Sequence, residues 1–326
     1  MSNTEVAPPE VVGTPGPTSE VEVLTPRAVP LGGPRAMTVR RTLPQRRRSL
    51  IGAWCFVDHY GPDDTAATGG MDVPPHPHTG LATVSWLFTG EVEHRDSHGV
   101  HALVRPGELN LMTAGHGIAH SEVSTPGTTV LHGVQLWVAL PEEARDGPRD
   151  FAHHAPEPVA LDGGTARVFL GTLAGSSSPV ATATPLLGAE LLLAPGARVE
   201  LAVDATFEHG LLVDRGRVRF RGRPLAPGEL GYARPGPSTL EITAGEEPAR
   251  LVLLGGPPFG EQIVMWWNFV ARSHDEIVAF RAAWEAGERF GGVDGYVGRD
   301  GRTGAAARLP APALPHATIR PRGNPE

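Results

Sequence analysis

Short apolar stretches separated by glycine, proline and polar clusters dominate the chain. "TVSWLFTG" (83–90), "VLHGVQLWVAL" (130–140), "ELLLAPG" (190–196), "RVRFRG" (217–222) and "RLVLLGG" (250–256) each have strand length and end in turn residues, so they predict β-strands. One segment carries a helical period instead. "SHDEIVAFRAAWEAG" opens with Ser273, places Glu276 three residues on as a capping box, and spaces Ile277, Phe280 and Trp284 along one face. Gly287 is its stop. This predicts a single structural helix near the C-terminus, packed on a sheet.

The strand pattern repeats. "PGEL" occurs at Pro106–Leu109 and again at Pro227–Leu230, each after a Gly-x-Val at Gly90–Val92 and Gly216–Val218. Offsets of about 121 and 126 positions predict two copies of one β unit. They join near "PEEARDGPRDFAHHAPEP" (141–158). The expected organisation is a disordered Pro/Gly/Thr/Glu-rich segment 1–20, an N-terminal unit 21–145, a C-terminal unit 146–300, and a Pro-rich tail 301–326 draped over the surface.

Composition narrows the function. The 326 residues include Gly 41 and Pro 33, suited to an all-β chain of many turns, and carry a net charge of −8. That balance disfavours nucleic acid and anionic membranes as partners, and Arg46–Arg48 is too short a basic run to reverse it; a solvated turn is the expectation there. The lone Cys55 excludes an intrachain disulfide and reads as a small buried hydrophobe. No apolar run is long enough to span a bilayer, and "MSNTEVAPPEVVGTPGPTSE" lacks the basic start and apolar core of a secretory signal. The expectation is a soluble, cytoplasmic protein.

Histidine is distributed unevenly: 11 of the 14 lie between His59 and His154. In "PPHPHTG" (74–80), prolines hold the backbone extended, so His76 and His78 share one face. Forty-two residues on, "GHGIAHSE" offers His120 and Glu122 at the same spacing. Two such strands converging inside a small antiparallel barrel would supply three imidazoles and a carboxylate, a set suited to one divalent transition metal with two adjacent open positions. Counting from the repeat, the corresponding places in copy two fall at "LAVDATF" (201–207) and "TLEITAG" (239–245), without histidine pairs. Copy two is therefore expected to be metal-free, with the isolated His209 on the surface or in packing.

The stretches "HPHTGLATVSWLFTGEVEHRDS" (76–97), "RPGELNLMTAGHGIAHSE" (105–122) and "HGVQLWVALP" (132–141) resemble the pirin family of the cupin superfamily, in outline over 36–290. The resemblance implies two cupin-type antiparallel β-barrel (jelly-roll) domains with a short C-terminal helix. It implies one metal in the first barrel, on His76, His78, His120 and Glu122, with iron(II) foremost and zinc, nickel, copper, manganese and cobalt all compatible. One position departs from the pattern: Ala82 stands where relatives often carry Glu, a change expected to remove a contact near the site.

Three readings follow. One is a flavonol 2,3-dioxygenase taking a quercetin-like aromatic substrate and O2, with Glu122 as catalytic general base. Another is a non-catalytic iron-binding redox sensor or co-regulator of transcription or metabolism, acting through a protein partner; a zinc-filled structural cupin is a third. His94, His98 and His101 are expected in a connection at the barrel mouth, contacting solvent or gating the cavity. His116 is expected to support a ligand, and Trp54, Trp86 and Trp137 to lie in the core.

Overall fold

The structure is a computed structural model describing residues 21–30, 37–298 and 300–324; the segment expected to be disordered, 1–20, lies outside them. Every strand-to-strand ladder described is antiparallel, and the strands form two sheet pairs of the same plan. In the first, a seven-stranded sheet runs in the order Asp150–His154, Leu109–Thr113, Leu81–Thr89, Val130–Ala139, Trp54–Asp64, Thr38–Leu43, Arg27–Pro30. It faces a four-stranded sheet, Asp72–His78, Ile118–Ser124, Val92–Asp96, His101–Val104. The second pair repeats this: Val21–Leu24, Leu230–Ala233, Glu208–Arg215, Ala249–Gly256, Leu187–Leu193, Gly164–Leu170 and Val159–Leu161, over Arg198–Ala202, Thr239–Ala244, Val218–Phe220 and Arg223–Leu225.

The sequence repeat maps onto matching corners of the two barrels. Each "PGEL" turns through a left-handed glycine, Gly107 (φ 75) and Gly228 (φ 86), and enters the equivalent strand at Leu109 and Leu230. Gly90 (φ 90) and Gly216 (φ 79) sit at the matching hairpins, conformations that glycine adopts without steric cost.

The barrels stack through their large sheets. Alternate residues of each, among them Trp54, Val84, Trp86, Leu111 and Leu136 from the first and Phe169, Leu212, Val252 and Leu254 from the second, form one buried cluster. Face-to-face sheet packing of this kind replaces the polar outer face a lone sheet would present to water. Trp86 packs on Phe169 at 4.6 Å and Trp54 donates its indole N–H to Gly255 O at 3.1 Å.

Strands cross the boundary expected at 145/146. Val21–Leu24 pairs with Leu230–Ala233 of the second barrel, and Asp150–His154 pairs with Leu109–Thr113 of the first, so each barrel lends the other an edge strand. We propose 21–145 and 146–300 as the limits of the duplicated units rather than of separately folding bodies. The Arg46–Arg48 run also differs from expectation: Arg47 is solvated, but Arg48 turns inward over the Tyr232 ring (3.7 Å) and pairs with Glu22 (2.9 Å).

The helix forms at His274–Ala286, with Ser273 accepting from the Glu276 amide and Gly287 left-handed at its end. It packs on the first barrel, not the second. Ile277, Phe280 and Trp284 join Trp266, Phe269 and Phe290 over Ala119, on the strand that carries His120. The tail continues across the same face, where Leu309 N donates to Pro75 O. No described helix is long and apolar enough to cross a membrane.

Candidate metal centre

Inside the first barrel, His76 and His78 on Asp72–His78 lie beside His120 on Ile118–Ser124. The register pairs His120 with His76 and Ile118 with His78. One ring nitrogen from each histidine falls within 4.8 Å of the others, and the Nε2 atoms of His78 and His120 are 3.0 Å apart. All three are buried, at 6%, 1% and 1% exposure. Burial is the main cause lowering each pKa, to about 4 for His76 and well below the ordinary value for His78 and His120. The rings are therefore neutral near pH 7 and carry lone pairs.

Those lone pairs are aimed by the opposite ring nitrogens. His76 Nδ1 donates to Pro74 O at 2.9 Å and His78 Nδ1 to Asn268 O at 3.0 Å. His120 Nδ1 faces His94 Nδ1 at 3.5 Å, while His94 Nε2 lies 3.0 Å from Asp96 Oδ2. With Nε2–H donating to Asp96, His94 presents its Nδ1 lone pair to the His120 Nδ1–H. Each Nδ1–H is thus anchored and each Nε2 is left to the barrel interior, the arrangement that orients metal-binding imidazoles. With three imidazoles and no thiolate, the donor set fits a divalent transition ion.

Glu122 is buried in the same interior but lies outside the group of three whose donor atoms all approach within 4.8 Å. A bulge in Asp72–His78 shifts the register between His120 and Glu122, pairing Glu122 with Val73, and the Glu122 carboxylate reaches toward the opposite sheet. There Ser85 Oγ stands 3.4 Å from its Oε1 and 3.0 Å from Gln135 Oε1. Burial raises the Glu122 pKa, with His94 and Ser85 acting the other way.

Several neighbours differ from the sequence reading. His94 is no mouth residue; it sits on Val92–Asp96, opposite Glu122 in register, and points inward. The His94-x-Asp96 pair carries the same two-residue spacing as His76-x-His78 and was the signal for it. Asp96 is pushed up by burial, but the bonds from His94 and from the Val100 and His98 amides outweigh this and leave its pKa lowered. His98 and His101 are exposed as expected. His116 is exposed and bonds Gly147 O at 3.1 Å, so it supports the 144–147 turn rather than a ligand. Trp54, Trp86 and Trp137 are core as expected, and Trp137 also stands edge-on to His78 at 5.1 Å and stacks on Phe56 at 4.0 Å, making a wall of the site.

Ala82 faces the seam between the barrels, within its apolar cluster. Thr83 and Ser85, not Ala82, share the strand face that meets Glu122, so the departure at 82 leaves the centre intact. Cys55 is buried, and burial raises its thiol pKa, consistent with an inert packing residue. In the second barrel, the strands matching the histidine pairs contribute Val199, Leu201, Leu240, Ile242 and Ala244 to a continuous apolar core. His209 is likewise buried, with neither ring nitrogen bonded.

Two stacked antiparallel barrels, with a buried histidine cluster in the first and an apolar interior in the second, define a two-barrel cupin. The sequence matches the Pirin family over residues 36–138 and the Pirin C-terminal cupin domain over 188–291. A Pseudomonas aeruginosa protein named "Putative quercetin 2,3-dioxygenase" is 45% identical over 294 residues, covering 90% of each chain. A pirin-like protein of Caulobacter vibrioides is 37% identical, covering 76% of this chain and 88% of its own. The crystal structure of a quercetin 2,3-dioxygenase from Acinetobacter baumannii aligns with a TM-score of 0.85 at 37% identity, over 92% of this chain and 97% of that one. The chain belongs to the pirin family.

Proposed function

We propose that this pirin is a metal-dependent dioxygenase that opens flavonol-type substrates with O2, with iron(II) held by His76, His78, His120 and Glu122. The observation that carries the reading is the anchoring of all three Nδ1 atoms, which leaves three neutral Nε2 donors converging in a buried chamber. The names of the P. aeruginosa and A. baumannii relatives support the substrate class. When bound, the ion supplies Lewis acidity and an electron path between an organic anion and dioxygen.

The chain's own residues do the rest. Glu122 takes the proton from the substrate's acidic hydroxyl onto a carboxylate oxygen and holds it in the buried chamber, as general bases do. Burial favours its protonated form, so the proton stays close for return to product. Ser85, itself in contact with Gln135, steadies the carboxylate from the facing sheet. The Trp137–Phe56 stack gives an aromatic substrate a flat apolar wall and keeps water from the reacting carbon.

A redox-sensor reading has one observation in its favour. His78 is tied to the Asn268 carbonyl, so a ligand communicates directly with the C-terminal segment through which a protein partner could be met. Either activity is proposed for the cytoplasm, without nucleic-acid or membrane contact. The test is aerobic turnover: protein loaded with iron(II) under nitrogen consumes quercetin on exposure to air, and His120→Ala does not. Iron-replete protein that leaves quercetin untouched refutes the enzyme reading.

A further inference from the structure

The largely apolar seam between the barrels is broken by buried polar groups, among them Glu190, bonded to Trp86, Glu208, bonded to the Gly52 amide, and a two-histidine cluster. His59 and His132, on the outer face of the first barrel's large sheet, meet Asp214 from the second barrel's sheet, all three buried. His59 Nε2 and His132 Nε2 lie 2.8 and 2.6 Å from the same oxygen, Asp214 Oδ1, and 3.4 Å from each other. Atoms at these separations lie on a circle of about 1.7 Å radius, smaller than the 2.0–2.1 Å of a zinc–imidazole bond. The separations of the three atoms therefore leave room for an ion at bonding distance from each.

The backbone is shaped to deliver these side chains. The strand register shifts at His132 against both of its neighbours, and again at Asp214 between Val213 and Arg215. Bulges re-aim single side chains and recur beside functional sites. Burying two imidazoles and a carboxylate in a largely apolar seam is costly compared with hydrophobic packing.

Two guanidinium groups flank the cluster without filling it. Arg40 Nη2 donates to Gly61 O and stands 3.1 and 3.3 Å from the two ring nitrogens of His59, off the line of either lone pair. Arg250 bridges Asp214 Oδ2 (3.4 Å) and Glu190 Oε1 (3.2 Å). Their charges weaken the site for a dication relative to the three-histidine centre.

We propose that His59, His132 and Asp214 form a second divalent-metal site that clamps the two barrels together, with one position left for water.

Equilibrium dialysis of metal-free protein against zinc, followed by elemental analysis, tests this. The expected result is two zinc ions per wild-type chain, and one each in His76→Ala/His78→Ala and in His132→Gln. The glutamine side chain of His132→Gln retains an N–H that can donate to Asp214, so the seam's hydrogen bond survives while the ligand nitrogen is lost. Zinc should also raise the melting temperature of His76→Ala/His78→Ala but not of that variant carrying His132→Gln. One ion per wild-type chain, or two in His132→Gln, overturns the proposal, and so does an unchanged melting temperature in His76→Ala/His78→Ala.

Discussion

His94 Nδ1 faces His120 Nδ1 across 3.5 Å, and Asp96 holds the far side of the His94 ring. This chain of bonds sets which nitrogen of His120 points into the barrel. Replacing His94 by Leu removes the acceptor and frees the His120 ring to rotate. Iron(II) affinity is expected to fall about 10–100-fold, the range seen when such supporting bonds are removed. His94→Gln, whose amide oxygen can still accept, should lose less. Competition with a chelator of known affinity measures both, and equal affinities for wild type and His94→Leu would show that His94 does not orient the centre.

Glu122 is assigned proton transfer as well as a place near the ion. Glu122→Gln keeps the side chain's shape and an oxygen donor but cannot accept the substrate proton as a carboxylate does. Turnover per bound iron is expected to fall by about 10²–10⁴, the usual worth of a positioned base. Full turnover in iron-replete Glu122→Gln would show that the proton goes elsewhere.

His209 makes stability depend on pH. Burial lowers its folded pKa to about 4, while the unfolded chain titrates near 6.5. Between those values the unfolded state binds a proton that the folded state does not, so stability falls as pH drops from about 6.5 to about 4. Above that window the effect is absent. Urea unfolding across pH 4–7 should give a slope reduced by up to one proton in His209→Leu relative to wild type. An identical slope would mean that the buried ring does not govern acid sensitivity.

Ala82 lies in the seam, away from the centre. Ala82→Glu introduces the residue the family resemblance led us to expect there but places a carboxylate among Trp86, Val84 and their partners. The expected cost is about 3–5 kcal/mol, as for an uncompensated buried charge, with no gain in turnover per bound iron. A variant as stable as wild type, or one that turns over faster, would show that position 82 reaches the centre after all.

The histidine spacing was legible because strand periodicity is local: His76 and His78 need only extended backbone to share a face, whereas their meeting with His120 needs the pairing of two strands. The repeat was legible because its glycines are required at positive φ. The helix was legible because its caps lie within its own fifteen residues. What lay beyond reach depended on long-range pairing. The exchange of Val21–Leu24 and Asp150–His154, and the return of the C-terminal segment to brace His78 through Asn268, leave no mark in local pattern. The inward turn of His94 and the outward turn of Ala82 required knowing strand phase, which a one-residue shift inverts.

Dioxygenase chemistry at the three-histidine centre would place both oxygen atoms of O2 in the product of a flavonol. The direct measurement is mass analysis of the product formed from quercetin and ¹⁸O2 by iron-loaded protein, with His76→Ala/His78→Ala as control. The predicted result is ring-opened product carrying two labelled atoms in the wild type and none formed by the variant. Unaltered quercetin in the presence of bound iron, or equal product from the variant, would contradict it.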